Sequence, residues 1–225
     1  MSAVEALGRL ADLAEDQWGL VTRAQALAAD VSPATLARLA AVGGPLERVA
    51  HGVYRLRGTA AAPLLDLRAA WLQLAPAIPA WERTAEQGVV SHRSAAALLR
   101  LGDLPADRHE FTVPHRQQTR RRDVRLRCRP LREDEWVSSQ GDLLPYTRAS
   151  RLVADLLADR EEPSAVAQIV VDVLDRVLDY PATLAAALSP FAARFGLLAG
   201  NGTALLVQFV EAAGADPAPY LAEID

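Results

Sequence analysis

TRAQALAADVSPATLARLAAVGGPLERVAHGVYRLR, residues 22–57, is the stretch that decides the fold of the N-terminal part of this chain. Its apolar residues recur at helical spacing in two short segments that are separated by a tight turn. Thr22 is a suitable N-cap for a first helix that continues to about Ala29. Ser32, which a proline follows, starts a second helix that we expect to reach Val42.

The sequence on either side of these two helices completes a small, recognisable layout. Residues 2–15 carry apolar positions at helical spacing, and residues 46–56 form two apolar stretches around the dipeptide His51-Gly52. Glycine supplies the positive φ that tight hairpin turns need. Three helices and a hairpin within about 60 residues are the layout of a winged helix-turn-helix. We therefore predict such a domain over residues 1–58, followed by a connecting helix (59–75) within a linker that extends to residue 87.

The remainder, residues 88–225, mixes strand and helix signals. Ser91 is expected to cap a helix over 93–101, and the alternation in the strand 124–128 places Val124, Leu126 and Cys128 inward and Arg125, Arg127 and Arg129 outward. The fold class is therefore α+β, with an N-terminal winged helix-turn-helix domain followed by a mixed α/β C-terminal domain that ends in helices. The other predicted elements are a strand over 110–113 and helices over 149–159, 164–180, 182–195 and 203–214.

Charge is distributed unevenly along the chain, although the net charge is only −4. Residues 108–151 hold 11 arginines against 6 acidic residues, whereas residues 152–225 hold 3 arginines against 11 acidic residues. A basic middle segment is what a nucleic-acid contact requires. The acidic end either meets a second, protein partner or is simply a well-solvated set of helices.

Composition narrows the class of protein further. A hydrophobic content of 51% is ample for packed cores, and the single cysteine, Cys128, cannot form an internal disulfide. We find no secretory leader and no apolar run of membrane-spanning length, so we expect a cytoplasmic protein with no membrane partner. The chain has no lysine, which counts against nuclease sites that depend on one.

Nothing in the sequence indicates a catalytic or metal site. The four histidines and Cys128 lack the paired spacing of metal ligands, and no glycine-rich phosphate loop follows a strand. Ser91-His92 suggests a nucleophile and a base, but a capping Ser91 and a packed, structural His92 are the better interpretation. We expect a protein that is not an enzyme and needs no cofactor.

The candidate binding residues all suit DNA. Arginine reads guanine through two hydrogen bonds, while hydroxyl and basic side chains contact phosphates. A solvated arginine and an ordinary turn histidine remain alternatives for Arg38 and His51. For the basic segment 116–122 a solvated loop is as good an explanation as nucleic-acid binding, and a contact to an acidic protein is a third option. The candidates are Ser32, Thr35 and Arg38 on the second helix of the motif, Arg48, His51, Arg55 and Arg57 on the hairpin, Thr22, Arg23 and Gln25 at the start of the first helix, and Arg116, Arg120, Arg121 and Arg122 in the basic segment.

Two groups of segments resemble a known family. The segments QWGLVTRAQAL (17–27), SPATL (32–36) and VAHGVYR (49–55) resemble the N-terminal winged-helix domain of AbiE-type antitoxins. A second group is similar to the C-terminal antitoxin domain of the same family, and it consists of VSHRSAAAL (90–98), FTVP (111–114) and YTRASRLVADL (146–156). The last 45 or so residues match nothing comparable.

The resemblance implies a dual role. Such antitoxins bind inverted repeats in double-stranded DNA upstream of their own operon and repress it, and they neutralise a nucleotidyltransferase-like toxin encoded beside them. This chain has Leu152 where the family often has a second threonine, which weakens the expectation of toxin neutralisation. Arg151 and Asp155 remain, four residues apart on one helix face, and are expected to pair. A stand-alone regulator whose C-terminal domain senses a ligand or partner is the alternative, and a nuclease is a third, disfavoured one.

Overall fold

The computed structural model describes residues 2–60, 62–138 and 144–222. The chain divides into two compact units, Met1–Gly88 and Val89–Asp225. The α+β class predicted from the sequence is confirmed, and the first unit has the helices and strands of a winged helix-turn-helix.

Within residues 2–60 and 62–88, the first unit contains four α-helices, two short 3₁₀ helices and a small antiparallel sheet with strand order β1-β3-β2. Its core collects apolar side chains from α1, β1, α3 and β2, among them the fully buried Leu10, Val21 and Leu46. Burial of each such side chain away from water contributes about 2 kcal/mol to the free energy of unfolding. The elements are α1 Ala3–Glu15, β1 Leu20–Thr22, α2 Arg23–Ala28, α3 Pro33–Leu39, β2 Leu46–Ala50, β3 Val53–Leu56 and α4 Leu65–Leu74.

Local signals set where the helices of this unit begin. The Thr22 side chain accepts a hydrogen bond from the backbone N–H of Gln25, and the Ser32 side chain accepts one from that of Thr35, so both predicted caps are confirmed. The α3 helix ends at Leu39 and not at Val42, because the chain folds back over the helix end. A Cβ on Gly44 would lie only 2.3 Å from the carbonyl oxygen of Leu39, so only glycine fits there.

The hairpin forms where the sequence predicts it, with Gly52 at φ +70° in the turn and a bulge between Arg48 and Ala50. Strand β1 was not predicted. Its three residues pair with β3, with Leu20 opposite Arg55 and Thr22 opposite Val53, and turn the hairpin into a three-stranded sheet.

The predicted connecting helix is shorter than expected, since α4 begins only at Leu65, after Leu64 in a left-handed conformation. Arg83 holds the end of α4 in place. Its guanidinium donates to the carbonyl oxygens of Trp71 (2.6 Å), Leu72 (2.8 Å) and Ala75 (2.6 Å) and stacks on the Trp71 ring at 4.3 Å. Burial lowers the pKa of Arg83 to about 10. These contacts make the segment expected to be a linker a packed part of the first unit.

In the described part of the second unit, helices accompany a five-stranded sheet with strand order β6-β5-β4-β8-β7. The β5–β6 and β4–β8 pairs are parallel, and the other two pairs are antiparallel. The elements are β4 Val89–Val90, α5 His92–Leu99, β5 His109–Val113, β6 Val124–Cys128, β7 Trp136–Val137, β8 Tyr146–Thr147, α6 Ala149–Ala158, α7 Pro163–Asp175, α8 Pro181–Leu188, α9 Gly202–Ala212 and α10 Ala218–Leu221.

The helices of the second unit depart from the prediction at their ends. The helix expected to reach residue 180 ends at Asp175, and the one expected over 182–195 stops at Leu188 and continues as a 3₁₀ helix. The Ser189-Pro190 step explains the change, because proline offers no N–H to an α-helix and restricts the residue before it. Helices α8 and α9 pack very closely, since a Cβ on Gly202 would lie 1.8 Å from the Ala185 carbonyl oxygen.

The predicted alternation along β6 is wrong at two positions. Cys128, expected to point inward, is exposed, whereas the Arg127 side chain, expected to point outward, is only 13% exposed. Arg127 is tolerated there because Glu110 and Asp159 neutralise it, as described below.

Candidate nucleic-acid interface

Helix α3 has one buried and one exposed face. Leu36 and Leu39 pack into the core of the first unit, while Ala34, Ala37 and Arg38 are exposed. We refer to Ser32, Ala34, Ala37 and Arg38 together as the α3 surface. It contains no acidic side chain, so nothing on it repels a phosphate backbone.

Capping α3 uses part of the hydrogen-bonding capacity of the Ser32 and Thr35 hydroxyl groups. The Ser32 hydroxyl accepts from the backbone N–H of Thr35 at 3.2 Å and donates its proton to Thr35 Oγ1 at 3.0 Å. Thr35, which is half-buried, keeps its own hydroxyl proton. Ser32 is therefore a structural cap first, and only Thr35 retains a free donor.

Three of the exposed arginines of the first unit are Arg23 at the start of α2, Arg38 at the end of α3 and Arg57 after β3. Within the residues that the structure describes, the guanidinium groups of these three have no carboxylate partner. Residues 20–60 hold five arginines against two acidic residues, so this part of the first unit is locally positive although the whole chain is not.

The hairpin arginines differ from one another. Arg48 is exposed and its Nη2 lies 3.0 Å from Nδ1 of His51, an arrangement in which the histidine accepts the hydrogen bond. Arg55 is instead paired with Glu47 across the hairpin, with 2.8 Å between Nη2 and Oε2. The structure corrects the prediction for Arg55, because its charge is already neutralised inside the protein.

Two further predicted contacts are also corrected. Thr22 and Gln25 are buried, so their side chains do not reach a ligand on the surface. Thr22 Oγ1 donates to the carbonyl oxygen of Pro76, and Gln25 exchanges hydrogen bonds of 2.9 and 3.0 Å with the buried amide of Gln17. Their role is to hold the start of α2 against the chain that follows α4.

An open groove lies between the hairpin turn and α2. It encloses about 530 Å³. The backbone N–H of Arg23 donates to the carbonyl oxygen of Gly52 at 2.8 Å, which fixes the hairpin turn beside the start of α2. The lining residues are Arg23, Ala24, Leu27, His51, Gly52, Gln73 and Pro76.

The basic segment 116–122 lies in a loop between β5 and β6 in the second unit, with Arg116, Arg120 and Arg122 exposed. Arg121 pairs with Asp123, and this hydrogen bond lowers the pKa of Asp123 to about 2. Three of the four predicted arginines of this segment are thus open to solvent.

Sequence reasoning missed a cluster of opposite charges in the second unit, which we call the polar layer (Glu110, Arg127, Arg129, Arg151, Asp155, Asp159). Arg127 pairs with Asp159 and, at 3.4 Å, with Glu110. Asp155 accepts from Arg129 at 3.3 Å and from Arg151 at 3.1 Å, so the predicted Arg151–Asp155 pair is present. The sequence offered two signals for it: arginines at alternate positions of β6, and two carboxylates, Asp155 and Asp159, four residues apart at the end of α6.

Ser91 differs from expectation, whereas His92 does not. Ser91 stands at the N-cap position of α5 but makes no capping hydrogen bond with its side chain. Its hydroxyl is 2.9 Å from Nδ1 of His92, and both residues are buried. Burial, assisted by Arg127, lowers the pKa of His92 to about 3, so the ring is neutral at pH 7. In this structure the pair is structural, as predicted for His92, because neither side chain reaches solvent.

Neither metal clusters nor membrane-spanning helices occur within the described ranges. No three or more His, Cys, Asp or Glu side chains there are grouped so that they could hold a metal ion. Likewise, none of the helices described combines the length and apolarity that crossing a bilayer requires.

The order helix, strand, helix, turn, helix and hairpin, with an exposed and capped third helix, is that of a winged helix-turn-helix. Residues 9–57 match the sequence family described as "Transcriptional regulator, AbiEi antitoxin". This part of the chain, which contains the whole motif and its hairpin, is similar to that family, and the predicted resemblance is confirmed there. No curated protein matches the chain.

Proposed function

We propose that this protein is a DNA-binding antitoxin that represses its own operon and neutralises a cognate nucleotidyltransferase-like toxin. The observation that carries the DNA-binding part is the α3 surface, which is exposed and free of acidic side chains and includes Arg38, an arginine with no carboxylate partner among the described residues. The regulator family matched by residues 9–57 supports the same function.

In this proposal α3 enters the major groove, and the hairpin lies along the adjacent backbone. Arg38 is the side chain that reads a base, because a guanidinium donates two hydrogen bonds to guanine O6 and N7. Arg23, Arg48 and Arg57 contact phosphates, which position the domain without specifying sequence. Inverted repeats fit two copies of such a domain, each on one half-site.

Binding to DNA from upstream of the protein's own gene tests this directly, with fluorescence anisotropy as the measurement. We expect Arg38→Ala to weaken binding by about 5- to 100-fold, the loss of one bidentate base contact. Arg55→Ala is the matched control, since Glu47 already neutralises that arginine, and its effect should be several-fold smaller. Equal losses for both variants, or no binding by the unmodified protein, would contradict the proposed DNA site.

The basic segment of the second unit is proposed as a further phosphate contact. Replacing Arg120, Arg121 and Arg122 by glutamine should make the dependence of log K on log salt shallower by one to three units, because each phosphate contact contributes about 0.9 to the slope. Arg160→Gln, a change of an exposed arginine elsewhere in the second unit, should leave the slope unchanged. A slope that stays the same in the triple variant would assign the segment to solvent or to a protein partner.

Toxin neutralisation is tested by co-expression with the neighbouring gene, scored as rescue of growth. Rescue by the full chain supports an antitoxin. Retained operator binding without rescue would favour the other class, a stand-alone regulator whose second unit senses a ligand or another partner.

A further inference from the structure

We infer that α3 recognises its DNA site through thymine methyl groups, contacted by Ala34 and Ala37, and through one guanine, contacted by Arg38. This rests on the proposed DNA binding and specifies what the same surface reads. The inference concerns the kind of base contact, which neither the family match nor the layout of the motif determines.

The geometry of the helix brings these three side chains together. Positions 34, 37 and 38 are separated by three and four residues and therefore lie side by side on one face of α3. All three are exposed, while Leu36 and Leu39 occupy the opposite, buried face. A ligand that docks on this face of α3 meets two methyl groups and one guanidinium, next to the exposed ring of Pro33.

The chemistry of those groups limits what they recognise. A methyl group forms no hydrogen bond, and the apolar group that DNA presents in its major groove is the C5-methyl of thymine. The small size of alanine also lets the helix backbone approach the groove floor closely. Ala34 and Ala37 thus favour thymine over cytosine at the base pairs they face, since cytosine lacks this methyl group.

Polar readout from the same surface is restricted. The Ser32 proton is already donated to Thr35 Oγ1, and Ser32 accepts from the helix backbone. Asp30, the acidic residue before the helix, is paired with Arg9 at 3.3 Å. Arg38 is therefore the group on the α3 surface that is free to make a bidentate contact, for which guanine is the matching base.

Chemically modified DNA tests this with the unmodified full-length protein. A binding sequence is first selected from a random duplex library and then resynthesised with deoxyuridine for thymidine or with 7-deaza-deoxyguanosine for deoxyguanosine. The first replacement removes only the methyl group, and the second removes the N7 acceptor. We expect each to weaken binding by about 5-fold or more, the lower end of a specific base contact.

Protein variants show which residues cause the loss of affinity for the deoxyuridine probe and for the 7-deaza-deoxyguanosine probe. The double variant Ala34→Ser/Ala37→Ser should bind thymidine and deoxyuridine probes with equal affinity. The affinity of Arg38→Ala should be the same for guanine and 7-deaza-guanine probes, but should still be lower for the deoxyuridine probe. Ala212→Ser, a change of an exposed alanine in α9, is the control and should behave as the unmodified protein. Equal affinity of the unmodified protein for all three probes would overturn the inference and leave DNA binding intact. Failure to select any sequence would overturn the proposed function and the inference together.

Discussion

The α3 surface of the first unit and the polar layer of the second unit both contain arginine, but they use it in opposite ways. Arg38 on the α3 surface is exposed and has no carboxylate partner among the described residues. In the polar layer, Arg127 and Arg151 are mostly buried and each contacts two carboxylates. A count of arginines along a stretch therefore does not identify a binding surface. What matters is whether a carboxylate lies within reach in the folded chain.

The largest effect is expected where the polar layer is broken. Asp159→Asn removes the nearer of the two carboxylates that contact Arg127 and leaves this largely buried guanidinium with Glu110 alone, at 3.4 Å, which should cost about 3 kcal/mol of unfolding free energy. The measurement is urea denaturation of the full chain, fitted with one transition for each unit. Asp30→Asn is the control, because the Arg9–Asp30 pair is exposed and worth less than about 1 kcal/mol. Similar losses in both variants would remove the contrast between the two regions.

A smaller effect is expected from acidification, through His92. Its folded-state pKa of about 3 lies below the ordinary value of 6.5, so below pH 6.5 the unfolded chain binds a proton that the folded chain does not. Stability due to His92 is therefore complete above pH 6.5 and is lost as the pH falls from 6.5 towards 3. At pH 5 the loss amounts to about 2 kcal/mol.

Urea denaturation at pH 7 and at pH 5 measures this loss. His92→Gln should remove most of the difference between the two pH values, whereas His51→Gln, at an exposed hairpin position, should preserve it. A difference that persists in His92→Gln would locate the proton uptake elsewhere in the chain.

The smallest effect is expected at the α3 surface. Ser32→Ala removes the side-chain cap of α3 and should lower the stability of the first unit by about 1 kcal/mol. Thermal unfolding followed by circular dichroism measures it. Ser164→Ala, at an exposed position in the first turn of α7, should change stability by less than about 0.5 kcal/mol. A loss above 3 kcal/mol for Ser32→Ala would contradict this expectation and would mean that Ser32 stabilises the first unit by more than the capping hydrogen bond.

Local signals made much of the first unit predictable. Caps at Thr22 and Ser32 and a glycine in the hairpin turn are properties of neighbouring residues, and these elements formed where expected. Strand β1 could not be predicted in the same way, because three residues carry too little pattern and its partner β3 lies more than 30 residues along the chain. The two-residue strands β4, β7 and β8 were missed for the same reason.

The exposure of the candidate binding residues could be predicted only where the helical spacing of apolar residues determines which side chains are buried. Arg38 is exposed because the spacing of Leu36 and Leu39 fixes the buried face of α3. Thr22 and Gln25 are buried by contacts to Pro76 and Ile78, more than 50 residues away, which no local pattern reveals. The ion pair between Arg55 and Glu47 could have been predicted, since pairing the two strands of the hairpin in register places Glu47 directly opposite Arg55.

The order of strands in the two sheets has a consequence for synthesis of the chain. The sheet of the first unit closes by residue 56, so this unit can complete its fold once residues up to 88 have left the ribosome. The second sheet has β4 at its centre, and this strand must wait for β8, more than 50 residues later, before both of its edges are covered. A nascent chain therefore carries a finished regulator module while its second half is still being translated.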